Sequence, residues 1–312
     1  MRRLWVLFLV CSASSAGCAG SATSERWNAF TLPLGREHAL SGRVYDVRAG
    51  EFVAPEELAR RVADAHFVVL GETHDNRDHH QLQAELVRRF LAGQRPAALA
   101  FEMLDETLDP VLSRPFRDPD ALARAVDWQA SGWPDFALYR PIFAVGFSAG
   151  VQLVAASPSD EHVRASMAGV DPAQAAALKL DQPLSAAAQK QLEREIVESH
   201  CGHASAAMVQ GMSRAQSYKD AFMAQRLRQA GRPAVLIAGR GHAGSDRGVP
   251  HFLRLGGAEP VLSVGLVEVR DGANEPRAYE PAVFDYVVFT PRASDDDPCE
   301  QFREQLKRMH AE

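Results

Sequence analysis

Cysteine is scarce in this chain. Four residues, Cys11, Cys18, Cys201 and Cys299, contain no C-x-x-C pair, so a cysteine zinc site finds no support. No apolar run is long enough to span a bilayer; the segment Leu4 to Val10 is the nearest approach. There is no block of Lys and Arg and no basic stripe interleaved with aromatics. The net charge is -6 and the isoelectric point near 6.0, so nucleic acid is not an expected partner. No H-E-x-x-H pair occurs, and no strand-to-helix elbow around a serine supports a serine hydrolase. The G-x-G at Gly239 to Gly241 stands late in the chain, which weakens a dinucleotide reading. Internal repeats are absent.

What remains is ordinary globular material, 46% apolar and 24% charged, with enough length to bury a core without staples. The first residues, MRRLWVLFLVCSASSAGCAG, are of another kind. Arg2 and Arg3 precede a short apolar run and then small residues, the pattern of an export signal over 1–18. Ser15-Ala16-Gly17-Cys18 resembles a bacterial lipobox, which makes Cys18 the expected lipidated residue and the mature chain membrane-anchored through acyl chains. Ala19 after it favours the outer membrane, facing the periplasm. Export leaves Cys201 and Cys299 in an oxidising compartment, where a disulfide and two free thiols both stand open.

Residues 19–50 read as a linker leading into the fold. From 51 the pattern becomes strand alternating with helix. PEELARRVADA starts a helix on Pro55. HFVVLGE is a short, β-branched, buried strand, DHHQLQAELVRRFLAG an amphipathic helix, and PAALAFEM the next strand. VQLVAAS, PAVLIAGRGH, PVLSVGLVEV and DYVVFTP supply four more strands. The expected fold is α/β, a mostly parallel sheet flanked by helices over 51–158 and 232–312. An inserted helical subdomain is expected over 159–231, where no strand is evident.

Ligands of open α/β sheets gather at the carboxyl ends of the strands. The first strand of HFVVLGETH delivers Glu72 and His74, the FEM strand delivers Glu102, and GRGH delivers His242. Four acid-base side chains from three strands therefore share one sheet edge. They suit acid-base catalysis, or a divalent metal such as zinc or manganese with an open position for water. Gly71, Gly239 and Gly241 fit tight turns or close backbone approach. Asp75 and Asp78 read as turn or capping residues, while His79 and His80 begin the helix, where one of them is expected to face solvent.

Seven stretches, LGETHDNRDHHQLQ (70–83), FEM (101–103), SGWPDFALYRPIF (131–143), SHCGH (199–203), AQSYKDAFMA (215–224), GRGHAGSDRGVP (239–250) and DYVVFTP with DPCE (285–300), run in one order through the chain. In these the sequence resembles the ChaN family of haem-binding lipoproteins, within the group that includes Tiki/TraB proteins and erythromycin esterases. The resemblance implies a cell-envelope protein of haem and iron uptake, haem as cofactor and partner, and a homodimer. It implies Tyr on iron with help from His, so Tyr139 and Tyr286, with His74, His79 and His242, are the expected haem contacts; Tyr218 ranks lower. The relatives also imply the alternative, a metal-dependent hydrolase working through Glu72, His74, Glu102 and His242.

Overall fold

The computed structural model describes residues 26–27, 29–93, 96–297, 299–300 and 303. The expected signal segment with Cys11 and Cys18 lies outside the described residues.

Eight strands form one sheet: β1 (Val44–Asp46), β2 (Glu51–Val53), β3 (Phe67–Glu72), β4 (Ala98–Asp105), β5 (Gln152–Ser157), β6 (Ala234–Gly239), β7 (Val261–Glu268) and β8 (Tyr286–Thr290), in the order β2-β1-β8-β7-β3-β6-β4-β5. β3 pairs in parallel with both β6 and β7, β4 with β5 and β6, and β7 with β8. Only β1 runs antiparallel, against β2 and β8. The six residues of β3 and the six of β6 are all buried, the near-continuous apolar run that a parallel strand covered on both faces requires. The sheet begins earlier than the sequence suggests. Val44 pairs with Val288 inside the stretch expected to be a linker.

Side-chain alternation divides the core. Val68, Leu70, Leu99, Phe101, Val235 and Ile237 face one layer, while Val69, Ala98, Ala100, Leu236 and Ala238 face the other, as a two-residue period dictates. The first layer is built from α1 (Pro55–Asp64), α2 (Arg77–Gly93), α3 (Asp109–Leu112), α4 (Pro119–Ala125) and α5 (Phe136–Ala149), with Leu58, Leu86, Phe90 and Phe143 at its centre. α1 starts as expected, with Pro55 in its first turn and Glu56 and Glu57 behind it. α5 ends at Gly150, whose φ of 63° is the left-handed cap that glycine adopts without strain.

Between β5 and β6 come α6 (Asp160–Ala168), α7 (Pro172–Leu178), α8 (Ala186–Ser199) and α9 (Ala206–Gln229), followed after β6 by α10 (Val249–Leu255). α8 and the start of α9 bury a small core of their own, Leu192, Ile196 and Val209. The second half of α9 does something else: Tyr218, Ala221, Met223, Ala224 and Leu227 cover the second face of the sheet. A disulfide joins Cys201, in the α8–α9 connection, to Cys299, with Cα atoms 5.5 Å apart. No helix among the described residues is long and apolar enough to cross a membrane.

Candidate functional site

The site grows from the carboxyl ends of β3, β4 and β6. β3 and β6 run in register from Phe67↔Ala234 to Glu72↔Gly239, which sets Glu72 and Gly239 opposite one another at the two strand ends. On one flank, Glu72 Oε1 bonds His74 Nδ1 at 2.9 Å and accepts from the Tyr139 hydroxyl at 3.1 Å. His80 Nδ1 lies 2.8 Å from Glu72 Oε2. That contact is off the hydrogen-bond direction, and Oε2 has no hydrogen-bond partner among the described residues. On the other flank, Glu102 Oε1 lies 2.9 Å from Lys219 Nζ and 3.0 Å from His242 Nε2, and Oε2 accepts from the Gly239 N–H at 2.8 Å. His242 Nδ1 in turn meets Asp220 Oδ1 at 2.6 Å, with the Gln216 amide at 3.0 Å.

Gly239 joins the flanks because it has no side chain. A Cβ there would stand 2.8 Å from His74 Nε2 and 3.1 Å from its Cε1. Gly239→Ala is therefore expected to displace the His74 ring and to cost about 1–3 kcal/mol, the range for overpacking. The checks are chemical denaturation and the His74 ring resonances; an unmoved His74 with unchanged stability would contradict the geometry.

Burial and charge act in opposition here. Burial alone lowers His242, but the carboxylates of Glu102 and Asp220 raise it to about 9. Burial alone raises Glu102, yet His242 and Lys219 hold it well below the usual carboxylate range. Lys219 is penalised by burial and raised by Glu102, while burial raises Asp220 against the pull of His242. Burial opposes the charge on His74, and its bond to Glu72 raises it. A histidine raised in the folded state stabilises fully below its unfolded value and loses that contribution as pH climbs through the folded one. Unfolding free energy is thus expected to fall between about pH 6.5 and 9, by at most about 3–4 kcal/mol at 1.36 kcal/mol per unit. Urea midpoints across that window measure it.

The structure brings Glu72, His74, Glu102, His242 and Tyr139 together, and Tyr139 is fully buried. Burial first, then the Glu72 carboxylate, raise its phenol and keep the proton on. Tyr286 is not brought in. It begins β8, two strands away from β3 and level with Leu70 through Val264, and its hydroxyl is bonded to Asp46 on β1; burial with that bond pushes it up to about 12. His79 is buried, with Nδ1 accepting from the Thr73 N–H at 2.9 Å and Nε2 bonded to Thr290 Oγ1 at 2.7 Å. Both its nitrogens are occupied in holding β3 to β8, and burial lowers it well below 6.5. Tyr218 packs under the sheet with its hydroxyl accepting from Gln174.

His80 is buried as well. The cap of α2 is Asn76, whose Oδ1 accepts from the N–H groups of Asp78 and His79. Asp78 instead receives the N–H groups of Thr31 and Leu32, so it fastens the N-terminal segment.

The divalent-metal alternative is not supported. Among the described residues no group of three or more His, Cys, Asp or Glu has an arrangement that could hold a metal ion. The reason is chemical: both nitrogens of His242 and both oxygens of Glu102 are already engaged, so their lone pairs do not converge on an open point.

Two strings match motifs in letters only. Gly146-Phe147-Ser148-Ala149-Gly150 spells G-x-S-x-G, but it closes α5 instead of joining a strand to a helix. Gly244 completes G-x-G-x-x-G after β6, yet the chain passes through a 3₁₀ turn at Arg240–His242 and α10 starts only at Val249. Among the described residues no helix N-terminus follows the second glycine directly, as a dinucleotide site needs.

Lys219, Asp220 and Gln216 escape a reading of strand ends because they sit on a helix. The available signal is a spacing. Asp220 stands three, four and seven residues before Met223, Ala224 and Leu227 on the buried stripe of α9, and a carboxylate on an apolar stripe calls for a partner.

Of the whole cluster, His74 is the member that solvent reaches best, its side chain 35% exposed against 24% for Lys219 and 8% or less for Glu72, Glu102, His242 and Asp220. It lies edge-on to Trp133 with ring centroids 5.0 Å apart. With Nδ1 directed at Glu72, its Nε2 takes part in no hydrogen bond among the described residues.

A family described as haem-binding uptake, Tiki superfamily, ChaN matches residues 58–253. Among solved structures, one described as cofacial haem binding to ChaN of Campylobacter jejuni superposes with a TM-score of 0.64 at 20% identity, covering 78% of this chain and 95% of that one. The type III effector HopBA1 gives 0.42 at 12% identity, over 84% and 97% of the two chains. A mutant of the erythromycin esterase EreC in its open conformation gives 0.40 at 16%, over 80% and 82%. No curated protein matches the sequence.

Proposed function

We propose that this chain, which belongs to the ChaN family of haem-binding uptake proteins in the Tiki superfamily, binds haem at the carboxyl edge of its sheet, with His74 as the residue that meets it. The observation that carries the reading is the extent of the family match, 58–253, which contains the whole cluster from Glu72 to His242. The residues present fit the group in one respect above all. A carboxylate on Nδ1 orients an imidazole and leaves Nε2 as its donor atom, the arrangement that supports metal-binding histidines. Bound haem supplies an iron centre and a flat apolar face. Glu72 then holds the Nδ1 proton of His74, Trp133 offers an aromatic edge beside it, and Tyr139 keeps its proton and fixes Glu72.

The wider reading is an envelope lipoprotein, exported by residues 1–18, lipidated at Cys18, facing the periplasm from the outer membrane and passing haem onward in iron uptake as a homodimer. The experiment is a haemin titration of the purified protein. A saturable Soret shift near one haem per chain is expected, and His74→Ala is expected to weaken binding at least tenfold, about 1.4 kcal/mol. Absence of saturable binding sinks the proposal; unaltered affinity in the variant removes His74 from it. Sedimentation of the same samples reports the dimer.

One observation favours a second reading, acid-base hydrolysis without a metal: His74 is accessible, oriented by Glu72 and uncommitted at Nε2. Turnover of simple esters that disappears in His74→Ala would support it, and inactivity of the wild-type protein would dismiss it.

A further inference from the structure

α1 and α2 carry the same pattern, Glu57-Leu58-Ala59-Arg60-Arg61 and Glu85-Leu86-Val87-Arg88-Arg89, and the two helices pack side by side. In each, the leucine is fully buried and the glutamate holds both arginines, Glu57 with Arg60 and Arg61, Glu85 with Arg88 and Arg89. The acids lie low, at 24% and 31% exposed, beneath four guanidiniums at 58–67%. The outer layer of this face is therefore mostly cationic, with Glu56 as its exposed acid, on a chain whose net charge is -6. A groove of about 1510 Å³ runs along it, lined by five arginines, among them Arg26, Arg60, Arg88 and Arg89, against three acids, of which Glu56 is exposed, with Trp27 among its apolar members.

The chain's course selects what lies against this face. Arg26 borders the groove, and Cys18 precedes Arg26 by eight residues. Eight residues reach at most about 28 Å when extended, less than the roughly 50 Å width expected for a domain of this length. An anchor at Cys18 thus holds the arginine face within reach of the bilayer and leaves the far side of the sheet beyond it. Guanidiniums take phosphate oxygens through a planar fork of donors, and anionic leaflets attract basic surface residues.

We propose that the α1–α2 arginine face rests on a membrane surface bearing anionic phospholipid headgroups, with Arg60, Arg61, Arg88 and Arg89 facing the phosphates. The proposal rests on the reading of Cys18 as an anchor and goes beyond it, because acyl chains alone do not orient the domain.

The test uses the whole processed protein on vesicles of phosphatidylcholine alone or with about 30% phosphatidylglycerol, enough to set up a negative surface potential. Arginine modification by phenylglyoxal is read residue by residue by mass spectrometry. On the anionic vesicles Arg60, Arg61, Arg88 and Arg89 are expected to react at least about fivefold more slowly than on the neutral ones. High salt should abolish the protection. Arg164 on α6, 72% exposed, should react alike on both.

Equal rates on the two vesicle types overturn the proposal, even if intact mass shows acylated Cys18, in which case the anchor stands without it. A chain lacking acyl mass that still sediments with the anionic vesicles and shows the protection keeps the proposal and removes the anchor. A chain that is neither acylated nor sedimented removes both.

Discussion

Glu102→Ala is expected to destabilise the fold by about 3–5 kcal/mol at neutral pH, the usual cost of removing one partner from a buried ion pair. Glu102 is 3% exposed and is the acceptor shared by Lys219 and His242. Without it, Lys219 Nζ and His242 Nε2 face each other at 3.4 Å. Two unit charges at that distance repel by about 5 kcal/mol at an effective dielectric of 20, so the pair cannot keep both protons unaided. His242 should give up its proton, and its titration should move from about 9 toward or below its ordinary value. The Gly239 N–H loses its acceptor as well. Urea unfolding and histidine NMR measure the two consequences, and Glu102→Gln, which preserves shape and one acceptor, should cost less. An Ala variant as stable as wild type, with His242 still titrating near 9, would show that the ion network is not what holds this edge.

The second large effect belongs to the Cys201–Cys299 bridge. It closes a loop across a sequence separation of 98, and a cross-link of that length restricts the unfolded chain by an amount equivalent to about 4–5 kcal/mol in the chain-entropy account. Real losses are smaller where the unfolded state is already compact, so replacing both residues by Ser is expected to cost about 2–5 kcal/mol. Denaturation of the double variant, and of wild type with and without reductant, gives the number directly. A reduced wild type as stable as the oxidised one would mean that the bridge is incidental.

Strand ends were the legible part of the site. Glu72, His74, Glu102 and His242 follow short β-branched runs, and parallel strands present their carboxyl ends on one side, so their meeting could be inferred from pattern alone. Lys219 and Asp220 could not be placed that way, since nothing in a helix's own sequence says which strand end it will cross. Tyr286 shows the complementary limit. A motif locates a residue in a strand, but only the strand order says how far that strand stands from the others, and β8 lies two strands from β3, with the Tyr286 hydroxyl bonded to Asp46. His79 and His80 look like available ligands in a string of charges, yet helix phase turns both inward. β1 and β2 are three residues each, too short for alternation to register, so the sheet's antiparallel margin passed for a linker. Fold class fared better because six strands alternating with helices repeat one consistent signal.

α9 carries a last consequence. Its 24 residues form a rod of roughly 36 Å at 1.5 Å per residue, seated at one end in the α8 hairpin beside Cys201 and, midway along, in the ion network through Lys219 and Asp220. A packed helix moves as a piece, and contacts of 2.6 and 2.9 Å tolerate only a few tenths of an ångström before they fail. The hairpin and the sheet edge are therefore geared to one another. A tilt imposed at the outer end of the lever arrives at His242 as a change in the company its proton keeps.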